Sequence, residues 1–384
     1  MMDLLETVHE MRNHLQYDLN EYYKNRNHSI PKAEYVGCLH LLNKILKVYH
    51  TNIDESLSAF ENKICNAKDE YIFRMVEVLD EIELAGIELN NDPIIIKRTS
   101  NNTGLGAFMT TNLMCIVTAV DLGQLPIIDM RGCWELDSVS ANTNVWELFF
   151  EQPFSKGLCG QETAKQELNQ VPRTSLRAGM DLLTNEYLLG FWRKKYNQFI
   201  RFNKETQKHI DEVYGQIADQ KLLGVICRGT DLEKLRPYNH FVQPPVDKMI
   251  EKAQMIMKEK NCRKLYLATE DARIYQKFRD VFGSDLIFTQ EHLIHNHKPD
   301  QYLYDVYKEN NSDMVKINLD YVTALAILSK CSCFLGGIAS GTLLVHLMTS
   351  GFEYSYLYNL GQYRLDDPVG LISKGYEKKP RFDD

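Results

Sequence analysis

Apolar positions through the first ninety residues recur at helical spacing. Leu4, Val8, Met11 and Leu15 alternate steps of four and three, and Leu19 and Tyr22 extend the stripe. Such spacing marks one face of a long helix. Ser29 as N-cap and Pro31 in the first turn restart a helix. Its stripe is Val36, Leu39, Leu42, Leu46 and Tyr49. A third helix, about Asp54 to Leu84, carries Leu57, Phe60, Ile64, Ala67 and Tyr71 and continues through Met75, Val78 and Ile82. Three helices without strands predict an antiparallel bundle, which serves either to pack on the main body or to dimerise.

From Asp92 the pattern becomes strand and helix in alternation, the signature of a parallel sheet covered by helices. Ile94 to Lys97 reads as a strand, Ser100 to Gly106 as a loop, Ala107 to Val120 as a helix and Leu125 to Met130 as the next strand. Helices are expected at Thr163 to Gln170, Ser175 to Asn185 and Asn197 to Ala218. A second alternating block starts at Lys221. It gives strand Leu222 to Cys227, a polar loop, helix Pro245 to Lys260, strand Lys264 to Ala268, helix Ala272 to Phe282 and strand Asp285 to Thr289. A His-rich loop, helix Asp320 to Ser329, strand Cys333 to Leu335 and helix Gly341 to Met348 complete it. The expected organisation is a helical region at 1–90, one Rossmann-like lobe at 91–220 and a second at 221–384, facing across a cleft.

Composition narrows the partners. A net charge of −8 over 384 residues argues against nucleic acid or an anionic membrane as the main partner. The N-terminus lacks the basic, apolar and small-residue order of a signal segment, and no run of about 18 apolar residues occurs, so a cytoplasmic location is expected. The nine cysteines are scattered, mostly in apolar runs, and read as reduced core thiols. Cys331 and Cys333 are too closely spaced for the usual zinc knuckle.

The candidate chemistry lies at strand ends. Leu222 to Cys227 is an apolar run that stops at Arg228, Gly229, Thr230 and Asp231. A strand buried on both faces presents its carboxyl end to the ligand crevice of an open α/β sheet. Arg228 there suits a bidentate phosphate contact, and the plainer reading is an ion pair with Asp231 or another rim carboxylate. Thr269, Glu270 and Asp271 end a second strand, either as crevice groups or as a helix cap. Gly336 to Thr342 carries a strand through small residues into a helix, where Ser340, Gly341 and Thr342 offer N–H and hydroxyl donors to phosphate, unless the glycines only admit a close helix-to-sheet contact. Gly104 and Gly106 sit at the first strand-to-helix turn. They suit a sugar or nucleotide contact, a dinucleotide site with Asp129 about twenty residues on, or a tight turn; Met109 at the third glycine position counts against the dinucleotide. In the loop after Arg228, His240, Glu233 and Asp231 are candidate general bases, in that order. His292, His295 and His297 lack metal-ligand spacing and read as a mobile loop. No Asp-x-Asp occurs, which counts against a divalent metal held by that motif.

These motifs, in this order, resemble the inverting fucosyltransferases, which comprise α1,6-fucosyltransferases, bacterial nodulation enzymes and, more distantly, α1,2- and protein O-fucosyltransferases. The strand motif His-x-Arg-x-x-Asp of that family is matched at Arg228 and Asp231, with Ile226 in place of the histidine and Gly229 in place of a frequent second arginine. Thr269 to Asp271, Asp320 followed by Gly336 to Thr342, and Gly104 to Gly106 match further motifs over about residues 92 to 360.

The resemblance implies an α/β, GT-B-like fold: two Rossmann-like lobes with a parallel sheet each, the first on the acceptor side and the second on the donor side. It also implies metal-independent inverting transfer from GDP-fucose, without cofactor, to an oligosaccharide or glycolipid. In that scheme Arg228 and the Ser340 to Thr342 turn hold the diphosphate, with Glu270, Asp271, Gly104 and Gly106 around it, and Asp320 reads guanine. The alternatives are another nucleotide-sugar enzyme such as an epimerase, a Rossmann oxidoreductase, and a noncatalytic glycan-binding protein that uses the N-terminal helices.

Overall fold

The computed structural model describes residues 90–99, 103–121, 124–134, 136–154, 166–168, 176, 178–184, 186–218, 220–237, 240–298 and 301–363. The expected helical bundle lies outside these residues.

Two parallel sheets organise the chain. In the first, β1 (Asn90–Lys97) lies between β2 (Gln124–Asp129) and β3 (Gln166–Leu168), and α1 (Leu105–Asp121) connects β1 to β2. β1 is central, yet Pro93 is tolerated there because the β3 ladder begins only at Ile94 and the β2 register shifts at Pro93. β2 is an edge strand, and two side-chain amides occupy its open side. Asn144 accepts from Met130 N and donates to Ile128 O, while Gln152 accepts from Ile128 N and donates to the same carbonyl. These bonds satisfy edge groups that would otherwise template another strand. The expected helix at Thr163 to Gln170 is a strand at 166–168. The one expected over Asn197 to Ala218 is split between α2 (Glu186–Phe199) and α3 (Lys204–Gly215), where Asn203 caps α3 by accepting from Thr206 N.

The second sheet comprises β4 (Leu222–Ile226), β5 (Lys264–Ala268), β6 (Leu286–Ile287), β7 (Cys333–Gly337) and β8 (Tyr354–Tyr358), in the order β6-β5-β4-β7-β8. The connecting helices are α4 (Thr230–Leu235), α5 (Val246–Glu259), α6 (Ala272–Phe282), α7 (Leu303–Glu309), α8 (Met314–Ser329) and α9 (Ser340–Met348). Short α4 replaces the expected polar loop after β4, and β8 completes an edge that the hydrophobic pattern left unread. All four pairings are parallel and right for a doubly wound sheet. No helix of the described residues is long and apolar enough to cross a membrane.

β4 shows why an uninterrupted apolar run forms here. Leu222 and Ile226 point into a core shared with α1, α2, α8 and α9, whereas Leu223, Val225 and Cys227 point into a second core under α5 and α6. Gly224 lies where α8 comes closest, since a Cβ there would stand 2.9 Å from Leu328 Cδ2 and 3.0 Å from Cys331 Sγ. The first core is continuous across both sheets and holds all three tryptophans, Trp134, Trp146 and Trp192. Cys115, Cys133, Cys227, Cys262, Cys331 and Cys333 are buried free thiols.

Helix α9 sits at the centre of this shared core. Its His346 is buried, with Nδ1 2.8 Å from Thr342 O and Nε2 3.3 Å from Ser355 Oγ. The His346 carbonyl accepts from Arg193 Nε of α2 at 3.2 Å. Burial pushes the imidazole down to about 4, against the opposing effect of its Thr342 bond. The folded protein therefore holds His346 neutral while the unfolded chain protonates it near 6.5. Its contribution is complete above about pH 6.5 and is lost as pH falls toward 4. Urea titrations across that window are expected to show stability rising with pH by up to about 1.4 kcal/mol per unit from this group. His346→Gln should flatten that part of the profile, and an unchanged slope would refute the assignment.

Candidate active site

The strand order reverses between β4 and β7, because the chain winds outward through β5 and β6 on one side and through β7 and β8 on the other. A crevice opens beyond the carboxyl ends of strands at such a point. Arg228 leaves β4 there, and the Gly336 to Thr342 turn leaves β7 beside it, with Ile226 and Gly336 in register. Ile226 fills the floor: its Cγ2 would be 2.7 Å from a Cβ on Gly336, and its Cδ1 2.9 Å from one on Gly341. The close-contact reading of Gly336 and Gly341 therefore holds, whatever else the turn does.

Arg228 is held by two carboxylates. Its Nε donates to Glu270 Oε1 at 3.2 Å and its Nη2 to Asp231 Oδ1 at 3.3 Å. Burial opposes the charge, but these carboxylates keep the guanidinium's pKa above its ordinary value. The plainer reading of Arg228, an ion pair at the rim, is therefore present. The side chain is still 25% exposed, and three of its five N–H donors have no hydrogen-bond partner among the described residues.

Glu270 Oε1 also accepts from Gly229 N and, at 2.8 Å, from Thr230 Oγ1. Thr230 is β-branched at φ 47°, in the left-handed region that such residues avoid. Its N–H donates to Asp271 Oδ2, so two acidic side chains from β5's end fix the strained backbone that aims Arg228. Asp271 is buried and caps α6 through Arg273 N at 2.8 Å, while Arg273 Nη2 pairs with it at 2.6 Å. Burial would raise its pKa, but Arg273 and the N–H donors hold the carboxyl below the ordinary range. Asp271 thus takes the capping role, and Glu270 faces the crevice.

On the β7 side, α9 starts without a side-chain cap. The N–H groups of its first turn are those an anion would use. Thr342 does not offer its hydroxyl, which donates to Gly337 O at 2.5 Å in a fully buried setting. Among the expected donors from this turn, Ser340 is half-buried and Gly341 buried.

Several sequence expectations shift. Asp320 does not open its helix: α8 begins at Met314 with Asp313 as N-cap, accepting from Val315 N and Lys316 N. Asp320 falls in the second turn, accepts from Glu291 N at 2.9 Å and pairs with His292 Nδ1 at 2.9 Å. The His-rich loop, expected to be mobile, is tied to the β5 rim by Ile294 N to Glu270 O and Ala272 N to Ile294 O. It lines a cavity of about 740 Å³ with Lys234, Arg273, Gln301 and Tyr307. Glu233 and His240 are exposed; Glu233 reaches Arg273 Nη2 at 3.4 Å, and the His240 backbone pairs with Pro237 and Tyr363. Asp129 binds Arg131 through Nε and Nη2, which engages the acid that a dinucleotide ribose would need. No group of three or more His, Cys, Asp or Glu able to hold a metal occurs among the described residues.

Two residues that the motifs did not flag border the crevice. Tyr307 of α7 and Tyr321 of α8 both lie within the electrostatic reach of Arg228 and Glu270. A Cβ on Gly106 would stand 2.3 Å from the Tyr321 hydroxyl oxygen, so α1 and α8 touch there. Gly104, by contrast, is exposed with nothing within 4 Å of a Cβ position.

No family model and no curated protein matches the chain. Solved structures do. Fucosyltransferase NodZ from Bradyrhizobium is 12% identical, with a TM-score of 0.43 over 70% of this chain and 96% of that one. A point variant of Arabidopsis thaliana FUT1 in complex with GDP is 10% identical, with a TM-score of 0.38 over 75% of each chain. POFUT1 in complex with GDP is 9% identical, with a TM-score of 0.42 over 70% of this chain and 99% of that one.

Gly229 is closed against a side chain: a Cβ there would stand 2.6 Å from Asp271 Oδ2 and 2.8 Å from Ile274 Cδ1. Gly229→Ala is expected to displace Asp271 from Thr230 and to lower stability by about 1–3 kcal/mol. Chemical denaturation of the two proteins tests this, and equal midpoints would mean the rim is looser than described.

Proposed function

We propose that the chain is a glycosyltransferase that uses a nucleoside-diphosphate sugar, with GDP-fucose as donor. The supporting observation is the pairing, at one switch point, of Arg228 with the uncapped first turn of α9. One side offers three unengaged guanidinium donors, and the other offers backbone N–H groups at a helix start. A leaving diphosphate gains negative charge as the glycosidic bond breaks and the sugar acquires oxocarbenium character. Donors that are already in place neutralise that charge without reorganising. The choice of GDP-fucose rests on the order of the motifs around Arg228, Asp231, Glu270, Asp320 and Ser340 in the sequence.

In this reading Glu270 and Asp231 orient Arg228 and the transfer needs no metal or cofactor. The acceptor is an oligosaccharide or glycolipid whose hydroxyl loses its proton to His240, Glu233 or Asp231. Of these three, Asp231 is the one bonded to Arg228. Asp320 reads guanine, which requires the Glu291 and His292 contacts to yield to the base.

Turnover is measured as GDP released from GDP-fucose with and without glycan acceptors. Arg228→Ala should lose at least about 100-fold in rate if it stabilises developing charge; unchanged release would remove Arg228 from the mechanism. Thermal melts with GDP, UDP, ADP and NAD are expected to show the largest upward shift for GDP. A UDP preference would reassign the donor, and a shift with NAD alone would favour the oxidoreductase.

A further inference from the structure

Tyr321 is a half-buried residue in the second turn of α8, and the groups around it come from both sheets' connections. Its hydroxyl lies against the backbone of Gly106 on α1, where any Cβ would overlap it at 2.3 Å and its Cζ at 3.2 Å. The same oxygen is 3.3 Å from the Cβ position of Gly341, in the first turn of α9. Arg228 and Glu270 are close enough for their charges to act on the phenol. The Gly-Leu-Gly turn and the small-residue turn thus converge on one phenolic oxygen, within electrostatic reach of the guanidinium assigned to the leaving group.

That oxygen makes no hydrogen bond among the described residues, whereas the hydroxyl of Tyr266 on β5 pairs with Thr289 at 2.7 Å. Burial pushes the Tyr321 phenol up to about 12, with Arg228 pulling the other way. At neutral pH it is therefore a proton donor and not a phenolate. A neutral donor beside a guanidinium and a helix start complements an anion, and phosphate oxygens supply one.

We propose that Tyr321 Oη donates a hydrogen bond to a phosphate oxygen of the departing nucleoside diphosphate beside Arg228, and that residue 106 is glycine so that this hydroxyl can occupy the seam between the two sheets' helices. The proposal rests on the nucleotide-sugar reading above. It gives the first glycine motif a task other than binding ligand itself: Gly106 makes room for the hydroxyl that does. Because Tyr321 comes from α8 and Gly106 from α1, the donor is in place only while these helices stay in contact.

The test is a double-mutant cycle on the full chain, read by GDP release from GDP-fucose and by thermal melting. Tyr321→Phe removes one oxygen and keeps the ring. It is expected to lower kcat about 10- to 100-fold, with a smaller change in the KM for GDP-fucose, because the bond strengthens as charge develops. Gly106→Ala should lower kcat by a similar factor and also lower the melting temperature, since its methyl overlaps the hydroxyl. In the double variant the overlapping oxygen is gone. Its kcat should then match Tyr321→Phe alone, and part of the melting temperature should return. Wild-type kcat in Tyr321→Phe overturns the proposal, as does a double variant whose losses multiply. If the wild-type protein neither binds GDP nor releases it from GDP-fucose, the nucleotide-sugar reading fails and the proposal fails with it. GDP turnover at the wild-type rate in Tyr321→Phe overturns the proposal alone.

Discussion

The hydrogen bonding of β4 to β5 on one side and to β7 on the other is the constraint from which the rest of the site follows. It forces the chain to wind away in both directions, so two unrelated strand-to-helix turns open onto the same crevice. It also places β4 at the centre of the sheet, where both faces must be apolar, and the run Leu222 to Ile226 is fully buried. A polar side chain in that run would lack a partner in either core. The first residue free to be charged is therefore the one that emerges from the top of the strand, Arg228.

Holding that residue in place needs local strain. Thr230 adopts a left-handed backbone, and Glu270 and Asp271 in the turn after the neighbouring strand bind its hydroxyl and its N–H. Those two acids divide the work according to burial. Asp271, nearly inaccessible, caps α6 and pairs with Arg273, whereas Glu270 reaches out to Arg228. Gly229 is the spacer between them, with Asp271 where a side chain would begin. The rim behaves as a single unit: changing any one of these groups leaves a buried carboxylate or N–H without its partner.

How much of this was legible in the sequence depends on whether the signal was local. The β4 run, the β5 run and the helix after β7 carry their own periodicity and turn chemistry, and their ends fall within a residue or two of expectation. The clustering of Arg228 with Asp231 follows from their spacing. Elements whose identity comes from partners were misread. Residues 166–168 have helix-compatible composition and become a strand because β1 offers an edge. Tyr354–Tyr358 pairs along β7, and its Tyr-Ser-Tyr alternation after Phe352-Glu353 is a strand signal that was passed over. Asp320 looked like a helix start because it precedes an apolar stretch, but Asp313 already caps the helix about two turns earlier. The contact of Tyr321 with Gly106 joins residues more than two hundred positions apart, and no spacing rule reaches that far.

The electrostatics of the rim set a requirement on any anionic ligand. Arg228 brings one positive charge and meets two carboxylates, so the triad with Glu270 and Asp231 is net negative before a ligand arrives. The guanidinium alone therefore does not make the crevice attractive to a diphosphate. The compensating donors must be groups that carry no formal charge: the N–H groups of α9's first turn, its helix dipole and any neutral hydroxyl nearby. Such donors have little desolvation cost when the site is empty, whereas a second buried cation would need its own counter-ion. Burying Ile226 and Gly341 against each other, with no second cation at Gly229, fits a crevice that meets the charge of an anion with backbone and neutral side chains.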